Sequence, residues 1–287
     1  MSLIHPTAIV EDGARLGADV TVGAFSIVGG EVVLDEGVTL DAHVVVRGRT
    51  TVGARTRIAA FAVIGGEAQD LSYKGEPTSV TIGPDCVIRE HVTIHRGTAR
   101  GRGETAIGAN CFLMVGAHIA HDCVIGNNVI LTNQATLGGH VEIGDHAILS
   151  GFAVVQQRCR VGAHAFIGGL TGVTQDIVPY VMVTGRWARL AGINVVGLTR
   201  RGFDRDIIHQ LRSAYRLYFL ANGPRDEKLA ALTRQFGGVA AVDAFIDFIR
   251  ASGDRPLAQP RTPGDLSQRD GNEDDEREDD EFNGDGD

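Results

Sequence analysis

An isoleucine, leucine or valine stands at every sixth position from Ile4 through Val10, Leu16, Val22, Val28, Leu34, Leu40, Val46, Val52 and Ile58 to Ile64. The same frame returns at Ile82, Ile88 and Ile94. It then runs unbroken from Ile107 through Leu113, Ile119, Ile125, Leu131, Leu137, Ile143, Leu149, Val155, Val161 and Ile167 to Val173. Helices repeat near 3.6 residues and ordinary strands alternate at two, so a period of six excludes both. Hexapeptide repetition is the pattern of a parallel β-helix, in which three hexads form three short strands and one triangular coil of about 18 residues. The frame aliphatics fill the core, and glycines such as Gly17, Gly23 and Gly53 are expected to permit the corners. Stacked at about 4.8 Å per layer, the coils build a prism roughly 40 Å tall.

Cys86, Cys111, Cys123 and Cys159 each fall four positions after a frame aliphatic, a slot held elsewhere by Ala14, Ser26, Val44, Thr50 or Ala62. They read as core filler. Cys123 and Cys159 lie two coils apart, beyond disulfide reach, and no CxxC pair exists, so four reduced thiols are expected.

Two segments break the frame: GEAQDLSYKGEPTS between Ile64 and Ile82, and ARGRGET between Ile94 and Ile107. Loops leaving a rigid scaffold are common carriers of function. For the shorter one, a simple tolerated insertion and a weak phosphate-binding loop are both open readings. After Val173, TQDIVPYVMVTG reads as an exit strand and a turn around Pro179. From Asp204 the spacing of Ile207, Ile208, Leu211, Ala214, Tyr215 and Tyr218 marks one face of a helix. Two more helices follow Pro224 and Val239. The resulting division is a β-helix over 1–184, a helical region over 185–251, and an acidic, disordered tail over 252–287.

Thirteen acidic and four basic residues in 252–287 carry the whole net charge of -9, which leaves 1–251 neutral. A run such as EDDEREDDE has little to bury and repels itself. The neutral body offers no electrostatic footprint for nucleic acid. The N-terminus lacks a signal-peptide pattern and no apolar run approaches a membrane span, so a cytoplasmic protein without an integral membrane segment is expected.

The segment HIAHDC, residues 118–123, gathers the chemistry. His140 follows Asp122 by 18 residues and Gly139 follows His121 by 18, so each stacks one coil above its partner, with Gln157 a further coil up. A lone histidine on such a face is ordinarily a solvated decoration, as expected for His146 and His164. Two histidines, an acid and a glycine on one column point instead to a reaction centre. An imidazole titrates near pH 6.5 and suits a general base, an effect worth ~10²- to 10⁴-fold. A glycine lets its backbone N–H approach a developing oxyanion. Adjacent side chains on a strand point to opposite faces, so whether His121 and Asp122 meet depends on the corner between them.

The segments HPTAIV, QDLSYKGEPT, VTIHRGT, AHIAHDC, GGHVEI, QDIVPY and GINVVGLTRRGF, in this order and at these distances, resemble the UDP-N-acetylglucosamine acyltransferase family over residues 1 to about 250. That resemblance implies a left-handed parallel β-helix with a C-terminal helical region, against the usual right-handed crossover. It implies a homotrimer with sites between prisms, which transfers a 3-hydroxyacyl group from acyl carrier protein to the sugar 3-position of a UDP-sugar, the first step of lipid A synthesis. The resemblance also implies that neither a metal nor a cofactor takes part. His121 corresponds to the general base, Asp122 to its partner and Gly139 to the oxyanion donor. His118, His140 and Gln157 would line the sugar site, with Asp70 supplied by the adjacent subunit. Asn194, Arg200 and Arg201 match positions holding the nucleotide or the carrier's phosphopantetheine, and Gly169 matches the place where acyl length is measured.

Three positions depart from the family pattern: Ser72 where a lysine is usual, with Lys74 two residues on; Gln156 in place of a histidine; and Val196 in place of a glutamate. All lie on the nucleotide-sugar side and keep a 3-amino sugar nucleotide open as acceptor. The later N-acyltransferase of the same pathway usually bears an extra N-terminal domain, whereas the repeats here begin at Ile4. A γ-class carbonic anhydrase would need zinc on His118, His121 and His140 but neither the helical region nor GLTRRGF. A non-catalytic trimeric scaffold would tolerate loss of His121.

Overall fold

In a computed structural model of the chain, which describes residues 3–261, the hexads form three parallel sheets of eleven, nine and eight strands that wrap one core. Most strands are two residues long, with the first side chain outward and the frame aliphatic buried, as in Thr39–Leu40 and Ile130–Leu131. Registers step by whole coils, for example Ile119 opposite Leu137 and Leu137 opposite Val155. Leu34, Leu40, Ile64, Ile88, Leu113, Leu131 and Leu149 are fully buried in the resulting column. All four cysteines are free and buried, as the slot rule requires.

The corners differ from expectation. Eighteen non-glycine residues, among them Asp122, His140, Arg158, His146 and His164, adopt positive φ near 60°. This left-handed conformation costs about 1–2 kcal/mol per residue, and hydrogen bonds to the coil before offset it: the N–H of His140, His146 and His164 donates to the carbonyls of His121, Asn127 and Asp145 at 2.8–2.9 Å. Gly17, Gly23 and Gly53 are not the left-handed residues. A Cβ on any of them would lie 2.6–2.7 Å from the backbone of the next coil, so those glycines serve close stacking rather than turning.

Past the last hexad, Val181–Thr184 pairs antiparallel with Arg189–Ile193 and extends the eleven-stranded sheet, which carries the prism beyond the expected boundary at 184. A short helix α1 (Val195–Arg200) follows, then α2 (Arg205–Tyr215), α3 (Arg225–Phe236) and α4 (Ala240–Ala251). The last three begin after Asp204, Pro224 and Val239, where the sequence places them. Ile208, Leu211, Ala214 and Tyr215 bury the face of α2, and Val242, Phe245, Ile246 and Ile249 that of α4. Tyr218 is buried as well, from a π-helical turn over Arg216–Leu220.

Residues 252–261 are not tail. Arg255 Nη2 and Arg160 Nε donate to the buried carboxylate of Asp176 at 3.0 and 2.9 Å. Ser252, Leu257 and Ala258 are buried, and Leu257 and Pro260 bridge to Asp176 and Leu190. Two apolar side chains and a guanidinium matched to a buried acid hold this segment against the prism. The rest of the proposed tail, 262–287, lies outside the described residues. No helix among the described residues is long and apolar enough to cross a membrane.

Candidate active site

Each coil crosses from the nine-stranded to the eight-stranded sheet at one corner, and both frame breaks occur there. Residues 67–78 leave between Val63–Gly66 and Ser79–Ile82, and residues 96–103 between Thr93–His95 and Glu104–Ile107. The next crossings upward hold residues 120–123, then 138–141, then 156–159. Fixed period alone therefore stacks two loops, the His121 corner, Gly139 with His140, and Gln157 along one edge.

Asp122 is the left-handed residue of its corner, with φ 60°. That turn cancels the alternation of a strand and brings its side chain to the His121 side. His121 Nδ1 lies 2.8 Å from Asp122 Oδ2, and both residues are buried, at 8% and 0% exposure. Burial by itself would push the Asp122 carboxyl up. Hydrogen bonds from His121, the Thr98 hydroxyl and the Thr98 N–H outweigh it and hold the group below the ordinary carboxylate range. An ionised carboxylate only accepts, so the imidazole proton sits on Nδ1 and Nε2 keeps its lone pair. The Nε2 edge faces Gly139: a Cβ there would fall 2.5 Å from Cε1 and 2.6 Å from Nε2. The Gly139 N–H has no hydrogen-bond partner among the described residues, while its neighbours Gly138 and His140 donate to Val155 and His121. Other corners of the prism repeat that free N–H; the absence of a side chain above an imidazole is what sets Gly139 apart.

The second insertion explains itself here. Asp122 Oδ1 accepts from the N–H groups of Thr98, Arg102 and Gly103 at 3.1, 2.8 and 3.2 Å, and Oδ2 from the Thr98 hydroxyl at 2.7 Å. The amides that would serve a phosphate are spent on Asp122, which overturns the phosphate-loop reading. A Cβ on Gly101 would meet the carboxylate at 2.5 Å, so its glycine permits that close approach.

His140 packs its ring edge-on against His121 at 5.0 Å, and its Nδ1 lies 3.8 Å from Asp122 Oδ2. Burial depresses its pKa against the pull of Asp122. His118 points outward one strand earlier and bonds Thr93 Oγ1 at 2.7 Å; burial, then the neighbouring His95, lowers its pKa. Asp70 on the first loop accepts from the Ser72 N–H at 2.7 Å. Hydrogen bonds from Ser72 lower its pKa, with smaller contributions from the charges of His121 and Arg100. Asp70 thus lies within electrostatic reach of His121 in its own chain. Arg96 lies 5.9 Å over the Tyr73 ring and ties the two loops together. Gln157 and Gln156 are exposed at the top of the corner.

Other expected residues lie elsewhere. Asn194 caps α1 and donates to the His164 carbonyl at 3.0 Å, while Arg201 donates to the His146 carbonyl at 2.8 Å. His146 and His164 belong to the corner between the eight- and eleven-stranded sheets, so Asn194, Arg200, Arg201 and Val196 stand away from His121 within one chain. Gly169 is exposed at the third corner, between the eleven- and nine-stranded sheets. The three-imidazole zinc site is not assembled within the chain either. His121, Asp122 and His140 offer ligand atoms within 4.8 Å of one another, but His118 is outside that group and Asp122 is engaged by five donors. Sequence reasoning singled out this loop but missed Thr98 and its hold on Asp122; the three glycines of GTARGRG at the same crossing were the available signal.

Comparisons with known proteins agree with this architecture. A family profile described as "Udp N-acetylglucosamine O-acyltransferase; Domain 2" matches residues 176–258, and one described as "Bacterial transferase hexapeptide (six repeats)" matches residues 104–139. The chain is 55% identical to an acyl-[acyl-carrier-protein]–UDP-N-acetylglucosamine O-acyltransferase of Azorhizobium caulinodans, over 91% of this chain and 96% of that one. A protein of the same name from Caulobacter vibrioides is 51% identical over 90% and 98%. The crystal structure of UDP-N-acetylglucosamine O-acyltransferase from Moraxella catarrhalis superposes with a TM-score of 0.86 at 40% identity, covering 89% of this chain and 99% of that one. With such identity over nearly the full length of both partners, and with the hexad prism and helical region in common, the chain belongs to the UDP-N-acetylglucosamine O-acyltransferase family.

Proposed function

We propose that this protein transfers a 3-hydroxyacyl group from acyl carrier protein to the 3-hydroxyl of UDP-N-acetylglucosamine, the first step of lipid A synthesis in the cytoplasm. His121 Nε2 accepts the proton of the sugar hydroxyl as its oxygen attacks the thioester carbonyl. The oxyanion that forms is met by the Gly139 N–H. When the tetrahedral species collapses, the C–S bond breaks and the leaving thiolate takes the proton back from the His121 imidazolium. Asp122 holds the imidazole in one tautomer and stabilises its charged form. Asp70, His118, His140, Gln157 and Ser72 bind the sugar side, and no cofactor beyond the carrier's own phosphopantetheine thioester is used.

The carrying observation is the His121–Asp122 pair, 2.8 Å apart and buried, with the free imidazole edge against Gly139. A homotrimer follows from the same reading: Asn194, Arg200 and Arg201 occupy another corner, so a neighbouring copy is needed to bring them to His121. In the test, His121→Ala is assayed for transfer from an acyl carrier protein to UDP-N-acetylglucosamine. Loss of transfer with unchanged melting and assembly is expected; retained turnover would remove the proposed base.

A further inference from the structure

The donors around Asp122 are unequal in direction. Three backbone N–H groups, from Thr98, Arg102 and Gly103, converge on Oδ1, which anchors the carboxylate. Oδ2 faces His121 Nδ1 at 2.8 Å, shares the Thr98 N–H at 3.1 Å, and takes its shortest other bond from the Thr98 hydroxyl at 2.7 Å. Thr98 is itself 3% exposed. Rotation of the carboxylate plane is therefore limited by two further amides at Oδ1, by the Thr98 N–H shared between the two oxygens, and at Oδ2 by the shorter bond from the Thr98 hydroxyl. We propose that Thr98 is a positioning residue of the acyl transfer, its hydroxyl fixing Asp122 Oδ2 in the line of His121 Nδ1 so that Nε2 stays aimed at the acceptor oxygen above Gly139.

This inference rests on His121 being the base. It gives the second insertion a role in catalysis rather than in binding substrate. A donor on Oδ2 also lowers the proton affinity of the carboxylate, which keeps Asp122 an acceptor while His121 carries the substrate proton. The anchoring amides belong to the backbone, and the Gly101 N–H that the hydroxyl accepts at 3.1 Å also has the Thr98 carbonyl at 3.1 Å, so the loop is expected to keep its fold without the hydroxyl.

The test compares Thr98→Val, which keeps the volume and the N–H, with Thr98→Ser, which keeps the hydroxyl, using an acyl carrier protein thioester and UDP-N-acetylglucosamine. A hydrogen bond to a charged group is at stake, so Thr98→Val is expected to lower kcat about tenfold to a hundredfold with KM changed less than about twofold, while Thr98→Ser stays within about threefold of wild type. In an Asp122→Ala background, Thr98→Val is expected to cost nothing further, because the group it acts through is gone. Gly101→Ala, whose Cβ would meet the Asp122 carboxylate at 2.5 Å, is expected to lower kcat alone and not in that background. Wild-type kcat in Thr98→Val, or a loss undiminished by Asp122→Ala, overturns the inference while an inactive His121→Ala leaves the base in place. An active His121→Ala overturns the reading beneath it instead.

Discussion

Gly139 lies so close over His121 that a methyl group on its Cα would fall 2.6 Å from Nε2, the nitrogen that must receive the substrate proton. The stacking follows from the 18-residue coil. It makes Gly139 a steric condition on the base as well as a source of an amide.

Gly139→Ala should displace the His121 ring while leaving the amide available. Misplacement of a reacting group by about 1 Å can reduce turnover on the order of 10²-fold, and a fall of that order in kcat, with an unchanged melting temperature, is the expected result. Full activity would show that the ring is free to move aside.

Asn194, Arg200 and Arg201 sit at a different corner from His121, and the proposed trimer unites them. His121→Ala and the double variant Arg200→Ala/Arg201→Ala should each be inactive alone. Co-assembled from unfolded chains, they should regain activity at sites that draw one intact corner from each copy. Mixtures that stay inactive would place the whole site within one chain.

His164 stacks between His146 and Tyr180, and burial, aided by His146, pushes its pKa down to about 4. In the unfolded chain it titrates near 6.5. Stability is therefore full above about pH 6.5 and falls as pH drops toward about 4, because only the unfolded state takes up the proton in that window. Melting curves across this range should show a shallower acid loss for His164→Phe than for the wild type.

Truncation after residue 251 removes Arg255 from the buried Asp176 carboxylate and exposes the contacts of Leu257 and Ala258. Burying one leucine side chain alone is worth about 2 kcal/mol, so this truncation should destabilise by at least that much in urea. Truncation after residue 261 should leave both stability and rate as they are.

Gly169 is exposed, and a Cβ there would meet only the Gly151 carbonyl, at 3.3 Å. Gly169→Met should fold normally. If acyl length is measured at this position, product analysis with a series of acyl carriers should show a shift to shorter chains.

Much of this was legible in the residues because a strict period turns sequence distance into height. Ile119, Leu137 and Val155 fix the frame, and counting 18 from His121 reaches Gly139. What stayed hidden depends on local dihedrals or broken counting. The positive φ of Asp122 decides that it meets His121, and aspartate at a corner does not announce that geometry. Thr98 lies inside an insertion, where no multiple of six locates a side chain. Residues 252–261, SGDRPLAQPR, have the proline, glycine and polar content of a linker, yet Leu257 and Arg255 find matched partners near the end of the prism that composition does not reveal.

Both insertions leave at one crossing and rejoin the ladder in register: Ser79–Ile82 pairs with Arg49–Val52 below it and Glu104–Ile107 above it. Residues added to or removed from either excursion would not rotate anything stacked higher up. Length changes in either excursion would therefore leave the proton-accepting ring at its height in the column, and in the second they are bounded by the Thr98, Arg102 and Gly103 amides that hold Asp122.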